Sequence, residues 1–238
     1  MHKVLVFGDG WGGELFARRL KENLAVVEVE RVIDWRHAPY GRKNWEEVAR
    51  LTERAIRPYI DEVDSIILAS YEATVAVIDQ LRDKYPEQNF VGFEPRMMEL
   101  LPADSAQSKT RRLMLAGSEA VRRSIGYKVE RSRLSVRYEI VEVDSSSWSE
   151  LINRDELTAE ALRTDLARQG ITNLGYATEH RLDAILLYST ELAEQRELME
   201  EVLGWQIYVV SDFERMINEI AVVLGLKGIR GGPHKWRD

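Results

Sequence analysis

Apolar residues along this chain follow two rhythms. Short, nearly continuous apolar runs at 3–7, 26–33, 65–69, 90–93, 112–116, 137–143, 184–188 and 206–210 read as strands covered on both faces. Between them, segments 14–22, 45–60, 73–84, 119–124, 155–169, 192–202 and 213–224 repeat apolar residues every three or four positions, which predicts helices. Strands alternating with helices imply right-handed crossovers and parallel sheets. The stretch "EPRMMELLPADSAQSKT" (94–110), with two prolines and a polar finish, reads as a boundary. The expectation is an α/β protein of two lobes, 1–97 and 98–211. Each holds a mostly parallel sheet flanked by helices, with a cleft between the lobes.

A repeat strengthens the two-lobe reading. "DSIILASYE" (64–72) and "DAILLYSTE" (183–191) share Asp-x-Ile-x-Leu-x-Ser-x-Glu, pairing Ser70 with Ser189 and Glu72 with Glu191. Each copy ends a predicted strand and opens an amphipathic segment, so the pattern reads as an internal duplication. Local capping accounts for a single copy, with serine as N-cap and glutamate in the first turn of the helix. Two copies at equivalent strand ends place two Ser-x-Glu loops around one inter-lobe pocket. Such interfaces commonly hold small molecules.

Composition narrows the function. Of 238 residues, 45% are hydrophobic and 31% charged, an ordinary folded profile, and the net charge of −7 argues against binding nucleic acid non-specifically. No run is long enough to span a membrane, and "MHKVLVFGDG" enters a strand with no signal peptide, so a cytoplasmic protein is expected. With no cysteine at all, disulfides, thiolate metal sites and thiol nucleophiles are excluded. The four histidines (His2, His37, His180, His234) have no metal-ligand spacing.

The motifs, in order, resemble the aspartate/glutamate racemase superfamily, and glutamate racemase in particular. "VFGDGWGG" (6–13) is similar to the family's FDSGxGG loop, and "DWRHAPYG" (34–41) to DTxxxPYG, keeping Asp34, Pro39, Tyr40 and Gly41. "ASYEAT" stands where the family has ACNTAT, "VGFEP" resembles VGVxxP, "GSEAVRRSIGY" resembles ATxxTVxSxxY, and "YSTELA" stands in place of GCTHYP. The resemblance implies two pseudo-symmetric flavodoxin-like lobes, with helix 212–226 returning to the first lobe and 227–238 a basic tail. It also implies cofactor-independent chemistry on an amino acid, a ligand site that includes Gly10, Tyr71, Ser118 and Thr190, and the option of a homodimer.

The departures fall on the chemistry. In the family, one cysteine removes the α-proton and another returns it on the opposite face. Here those positions are Ser70 and Ser189, with no evident base beside either to activate the hydroxyl. Asparagine has become Tyr71, threonine Glu72 and histidine Glu191, while Asp9 stands where the first loop has serine. Asp9, Glu72, Glu191 and the retained Asp34 make a carboxylate-lined site suited to a cationic or polyhydroxyl molecule, or to a hard cation, rather than to glutamate. The competing expectation is that these acids face solvent at helix N-termini. The loss of both thiols fits a small-molecule-binding pseudoenzyme that keeps the scaffold as a sensor or binding partner, or a diverged enzyme. Two further alternatives stay open. Glu72 and Glu191 could form a new acid/base pair, or Gly8, Gly10 and Gly13 could be the Gly-x-Gly-x-x-Gly of a dinucleotide-binding oxidoreductase. Trp11 is expected to pack between the lobes and His37 to be a solvated loop residue.

Overall fold

The computed structural model describes residues 1–101, 111–172, 182–204 and 207–228. The first lobe holds β1 (His2–Gly8), α1 (Trp11–Asn23), β2 (Val27–Ile33), α2 (Trp45–Ile56), β3 (Ser65–Leu68), α3 (Tyr71–Lys84) and β4 (Asn89–Gly92). The second holds β5 (Arg111–Gly117), α4 (Glu119–Arg123), α5 (Ile125–Ser135), β6 (Tyr138–Asp144), α6 (Ser146–Asn153), α7 (Ala159–Arg168), β7 (Ala184–Tyr188), α8 (Arg196–Leu203) and β8 (Tyr208–Val210), followed by α9 (Phe213–Val223). All pairings are parallel, and the two sheets share one topology, β2-β1-β3-β4 and β6-β5-β7-β8. This order is flavodoxin-like and differs from the dinucleotide-binding arrangement.

Register decides where the loops go. Gly8 lies opposite Ile33 and Phe7 opposite Leu68, so the chain leaves β1, β2 and β3 at one carboxyl edge. Gly117 faces both Asp144 and Tyr188, which does the same for β5, β6 and β7. The two carboxyl edges face each other across the lobe boundary.

The core runs through that boundary. One cluster of buried side chains combines Val4, Phe16, Ile67 and Phe93 of the first lobe with Leu113, Tyr127, Leu186 and Tyr188 of the second. Phe213 of α9 packs edge-on against Phe16 (5.1 Å between centroids) and Phe93 (5.7 Å), laying the helix on the first lobe. Tyr71, inside the first Ser-x-Glu turn, and Tyr188, just before the second, meet at 5.9 Å in an edge-to-face pair.

Several predicted boundaries shift. The helix expected over 45–60 ends at Ile56 and continues as a 3₁₀ turn, Arg57–Tyr59, because Pro58 cannot supply the next backbone donor. The helix expected from 155 begins at Ala159, where the Thr158 side chain accepts from Ala161 N–H. Segment 192–202 divides into a 3₁₀ turn, Glu191–Glu194, and α8. Two helices escaped the sequence pattern. Helix α5 has only Tyr127, Glu130 and Leu134 buried, and α6 has a serine-rich inner face with one fully buried tryptophan, Trp148, whose indole N–H donates to Asp165 (2.8 Å). Most of the predicted boundary segment and the basic tail lie outside the described residues.

Candidate functional site

Three loops of the first lobe and two of the second converge on one buried cluster of acids. The loop after β1 carries Asp9. Gly10 makes its turn with φ of 127°, a conformation that favours glycine, and a Cβ there would lie 2.6 Å from Asn153 Oδ1 of the second lobe. Gly12 packs so tightly on Thr190 that an added Cβ would overlap the threonine hydroxyl. The lobes touch directly at the mouth of α1. This contact removes the dinucleotide reading: the helix N-terminus that would hold a pyrophosphate is covered by Asn153 and Thr190.

Asp9 is 2% exposed, Glu72 7% and Glu191 4%, so the expectation that these acids face solvent is overturned. Ser70 and Ser189 are buried too. Asp9 Oδ2 accepts the Tyr40 N–H at 2.7 Å. The Ser70 hydroxyl caps α3 by accepting from Ala73 N–H (3.1 Å) and donates to Glu72 Oε2 (3.3 Å). The Ser189 hydroxyl donates to Glu191 Oε2 at 2.8 Å and lies 3.3 Å from the Ser149 hydroxyl. Thr190 Oγ1 donates to the Ala69 carbonyl across the boundary (3.4 Å), which brings the two Ser-x-Glu loops side by side.

The electrostatics follow from burial without compensation. Among the described residues no lysine, arginine or histidine forms an ion pair with Asp9, Glu72 or Glu191. Burial raises the pKa of Asp9 well above its ordinary value, and the nearby Glu191 and Glu72 carboxyls push it the same way. Burial also raises Glu72, against hydrogen bonds from Ser118, its own backbone N–H and Ser70. Burial and then Glu72 push Glu191 up to about 7. Burial therefore favours the protonated form at all three positions, and a protonated carboxyl can donate as well as accept.

Around the trio, Gly41 sits against the second lobe: a Cβ there would lie 3.1 Å from Ser118 Cβ and 3.6 Å from Glu72 Oε1. The Ala38–Pro39 bond in the same loop is cis. Asp34 stands apart from the trio. It holds the Tyr40 hydroxyl (2.7 Å) and His37 Nδ1 (2.8 Å), and these partners outweigh burial and leave its pKa lowered. His37 is thus oriented by a carboxylate rather than simply solvated. Trp11 does not pack between the lobes; it is 45% exposed and tilts against Trp35 at 6.1 Å. Tyr71 points away from the acids, into the aromatic core, and donates to Asp212 (3.1 Å).

Sequence reasoning missed three contributors from the second lobe, Ser146, Ser149 and Asn153, all on α6. Their only signal was the serine run at 145–149 within a segment read as connection. Among the described residues no group of three or more His, Asp or Glu has the arrangement of a metal site. No helix among the described residues is long and apolar enough to cross a membrane.

No protein-family model matches the chain. Curated relatives do. A glutamate racemase of Bifidobacterium adolescentis is 23% identical over 220 residues, covering 92% of this chain and 83% of its own. One of Lactococcus lactis is 23% identical over 227 residues, covering 94% and 79%. Among solved structures, the Escherichia coli glutamate racemase in complex with L-glutamate and the activator UDP-MurNAc-Ala superposes with a TM-score of 0.79 at 17% identity, over 96% of this chain and 84% of that one. Ordered motifs, a duplicated topology and near full-length relatives agree: this chain is similar in sequence and in fold to the glutamate racemases of the aspartate/glutamate racemase superfamily.

Proposed function

We propose that this protein binds a small molecule between its lobes and does not racemise glutamate by the two-thiol route. The observation that carries the reading is the pairing at both former thiol positions: each serine hydroxyl is hydrogen-bonded to the glutamate two residues on, and no basic side chain stands beside either. A carboxyl is far too weak a base to turn a serine hydroxyl into an alkoxide, so neither serine can take a proton from carbon as a thiolate would.

The acid trio also bears on the ligand. Glutamate would bring two further carboxylates to a site with no counter-cation among the described residues. A cationic or polyhydroxyl molecule fits better, because an ammonium group would supply the missing positive charge and hydroxyls would pair with acids that donate and accept. Calorimetry on the purified protein with arginine-like amines, polyols and D- and L-glutamate tests this. The expected outcome is amine binding with proton release as the carboxyls ionise, or polyol binding without it. Tight glutamate binding with interconversion of its enantiomers would sink the proposal.

One observation favours a second reading. Glu72 and Glu191 come from opposite lobes, and Glu191 sits near 7, the range in which a carboxyl serves as a general acid or base at physiological pH. An isomerase acting on a carbonyl-activated carbon would incorporate solvent deuterium into its substrate, and loss of that exchange in Glu191→Gln would identify this chemistry.

A further inference from the structure

A second site lies on the outer face of the first lobe. A groove of about 610 Å³ is lined by Trp45, Ala49, Arg50, Arg54 and Arg57 of α2 and the turn after it, and by Ala76 of α3. Trp45 stands at the groove's N-terminal end, 39% exposed, and no aromatic ring of the described residues packs on it.

The three arginines differ from most others in the chain. Arg18, Arg19, Arg31, Arg82, Arg122, Arg131 and Arg215 are all held by carboxylates. Arg50, Arg54 and Arg57 make no ion pair among the described residues, although acids stand at pairing distance in sequence. Glu47 is taken by Lys43, and Glu53 is taken by Lys84 and the Tyr85 hydroxyl. The groove lining therefore presents three arginines without an ion pair among the described residues, against Glu46 and against Glu53, which Lys84 holds and whose pKa Arg57 helps to lower, on a chain whose net charge is −7. Neutral packing does not call for this arrangement, since like charges on one helical face destabilise it.

We propose that this groove binds a nucleoside polyphosphate, with the phosphates on Arg50, Arg54 and Arg57 and the base on Trp45. Guanidinium forks match phosphate oxygens bidentately, and an exposed indole offers a flat face for a base. The helical rise from Trp45 to Arg57, at about 1.5 Å per residue, spans about 18 Å, room for a nucleotide laid along the helix. The volume lies in the range of small-molecule sites. The groove is separate from the inter-lobe acids and does not depend on their function.

The test titrates the full-length protein with ATP and UTP, following tryptophan emission and heat, with tripolyphosphate as a parallel arm. Saturable binding to one site is expected. The double variant Arg54→Glu/Arg57→Glu should weaken it about tenfold or more, the scale of lost charged hydrogen bonds. Arg163→Glu, an exposed arginine on α7, should leave it unchanged, and thermal melts report whether each variant is folded. Trp45→Phe should weaken nucleotide several-fold and tripolyphosphate not at all. Absence of saturable binding by folded protein overturns the proposal, as does equal weakening by Arg163→Glu. Tripolyphosphate binding as tight as nucleotide, with Trp45→Phe without effect, overturns it in favour of a free polyphosphate site.

Discussion

The two Ser-x-Glu loops share five residues of pattern and differ in nearly every hydrogen bond. In the first lobe Ser70 caps a regular fourteen-residue helix, and its hydroxyl serves both the Ala73 N–H and Glu72. In the second, Ser189 caps nothing; the chain turns through a 3₁₀ segment before α8 begins, and the hydroxyl is free to meet Glu191 closely and to reach Ser149. The tyrosines behind them diverge as well. Tyr71 donates to Asp212, which a bidentate Arg215 fork holds at 2.6 Å on each side, whereas Tyr188 donates to Glu130, a carboxyl that burial raises and that has backbone donors rather than a cation. A duplicated sequence thus keeps its chemistry-bearing positions while their supports are rebuilt separately, because capping depends on the helix or turn next in the chain and each tyrosine's acceptor comes from a different element.

Removing those supports separates the two halves most strongly. Asp212→Ala leaves the Arg215 guanidinium, 12% exposed, without its principal partner and takes away the acceptor of Tyr71; a loss of about 3–5 kcal/mol is expected. Glu130→Gln keeps an oxygen for Tyr188 and the Met98 N–H and should cost about 1 kcal/mol. Denaturant melts of the two variants check the difference, and equal losses would show that the two halves are supported alike.

The acids give the next largest effect. Glu191 has a folded pKa of about 7 against an ordinary value of 4.5, so the folded protein holds a proton that the unfolded chain has released between those values. The stabilisation is full below about pH 4.5 and falls as pH rises through about 7, by about 3 kcal/mol for this group, with Asp9 and Glu72 acting in the same direction. Stability curves from about pH 4.5 to about pH 8 should therefore decline, and Glu191→Gln should flatten the decline. A profile that rises over this range would mean that a cation reaches the cluster.

The smallest effect separates the serines themselves. Ser70→Ala should cost about 1 kcal/mol, the usual loss of an N-cap, and Ser189→Ala less, since its hydroxyl bonds only to other side chains. Equal costs in thermal melts would show that capping is not what distinguishes the loops.

The strands were legible because a parallel strand covered on both faces must be apolar at every step, which no loop and few helices imitate. Positions 65–68 and 184–188 are buried without exception. The loops that carry Asp9, Asp34, Tyr40 and the two serines were legible as motifs. Helices α5 and α6 were not, because they bury few apolar residues and present serine or charge where periodicity would be sought. The state of the acids was beyond reading as well: an aspartate or glutamate in a first turn is ordinarily solvated, and only the opposite lobe desolvates it.

Residue type and spacing along one chain are enough to specify the two-lobed parallel architecture, the duplicated serine turns and the loss of both thiols. Packing in three dimensions was needed to bring Asp9, Glu72 and Glu191 into one buried cluster, and to cover the glycine loop with Thr190 and Asn153. These contacts join residues more than a hundred positions apart, and a carboxyl's charge is set by what surrounds it in space, which neighbours in sequence do not specify.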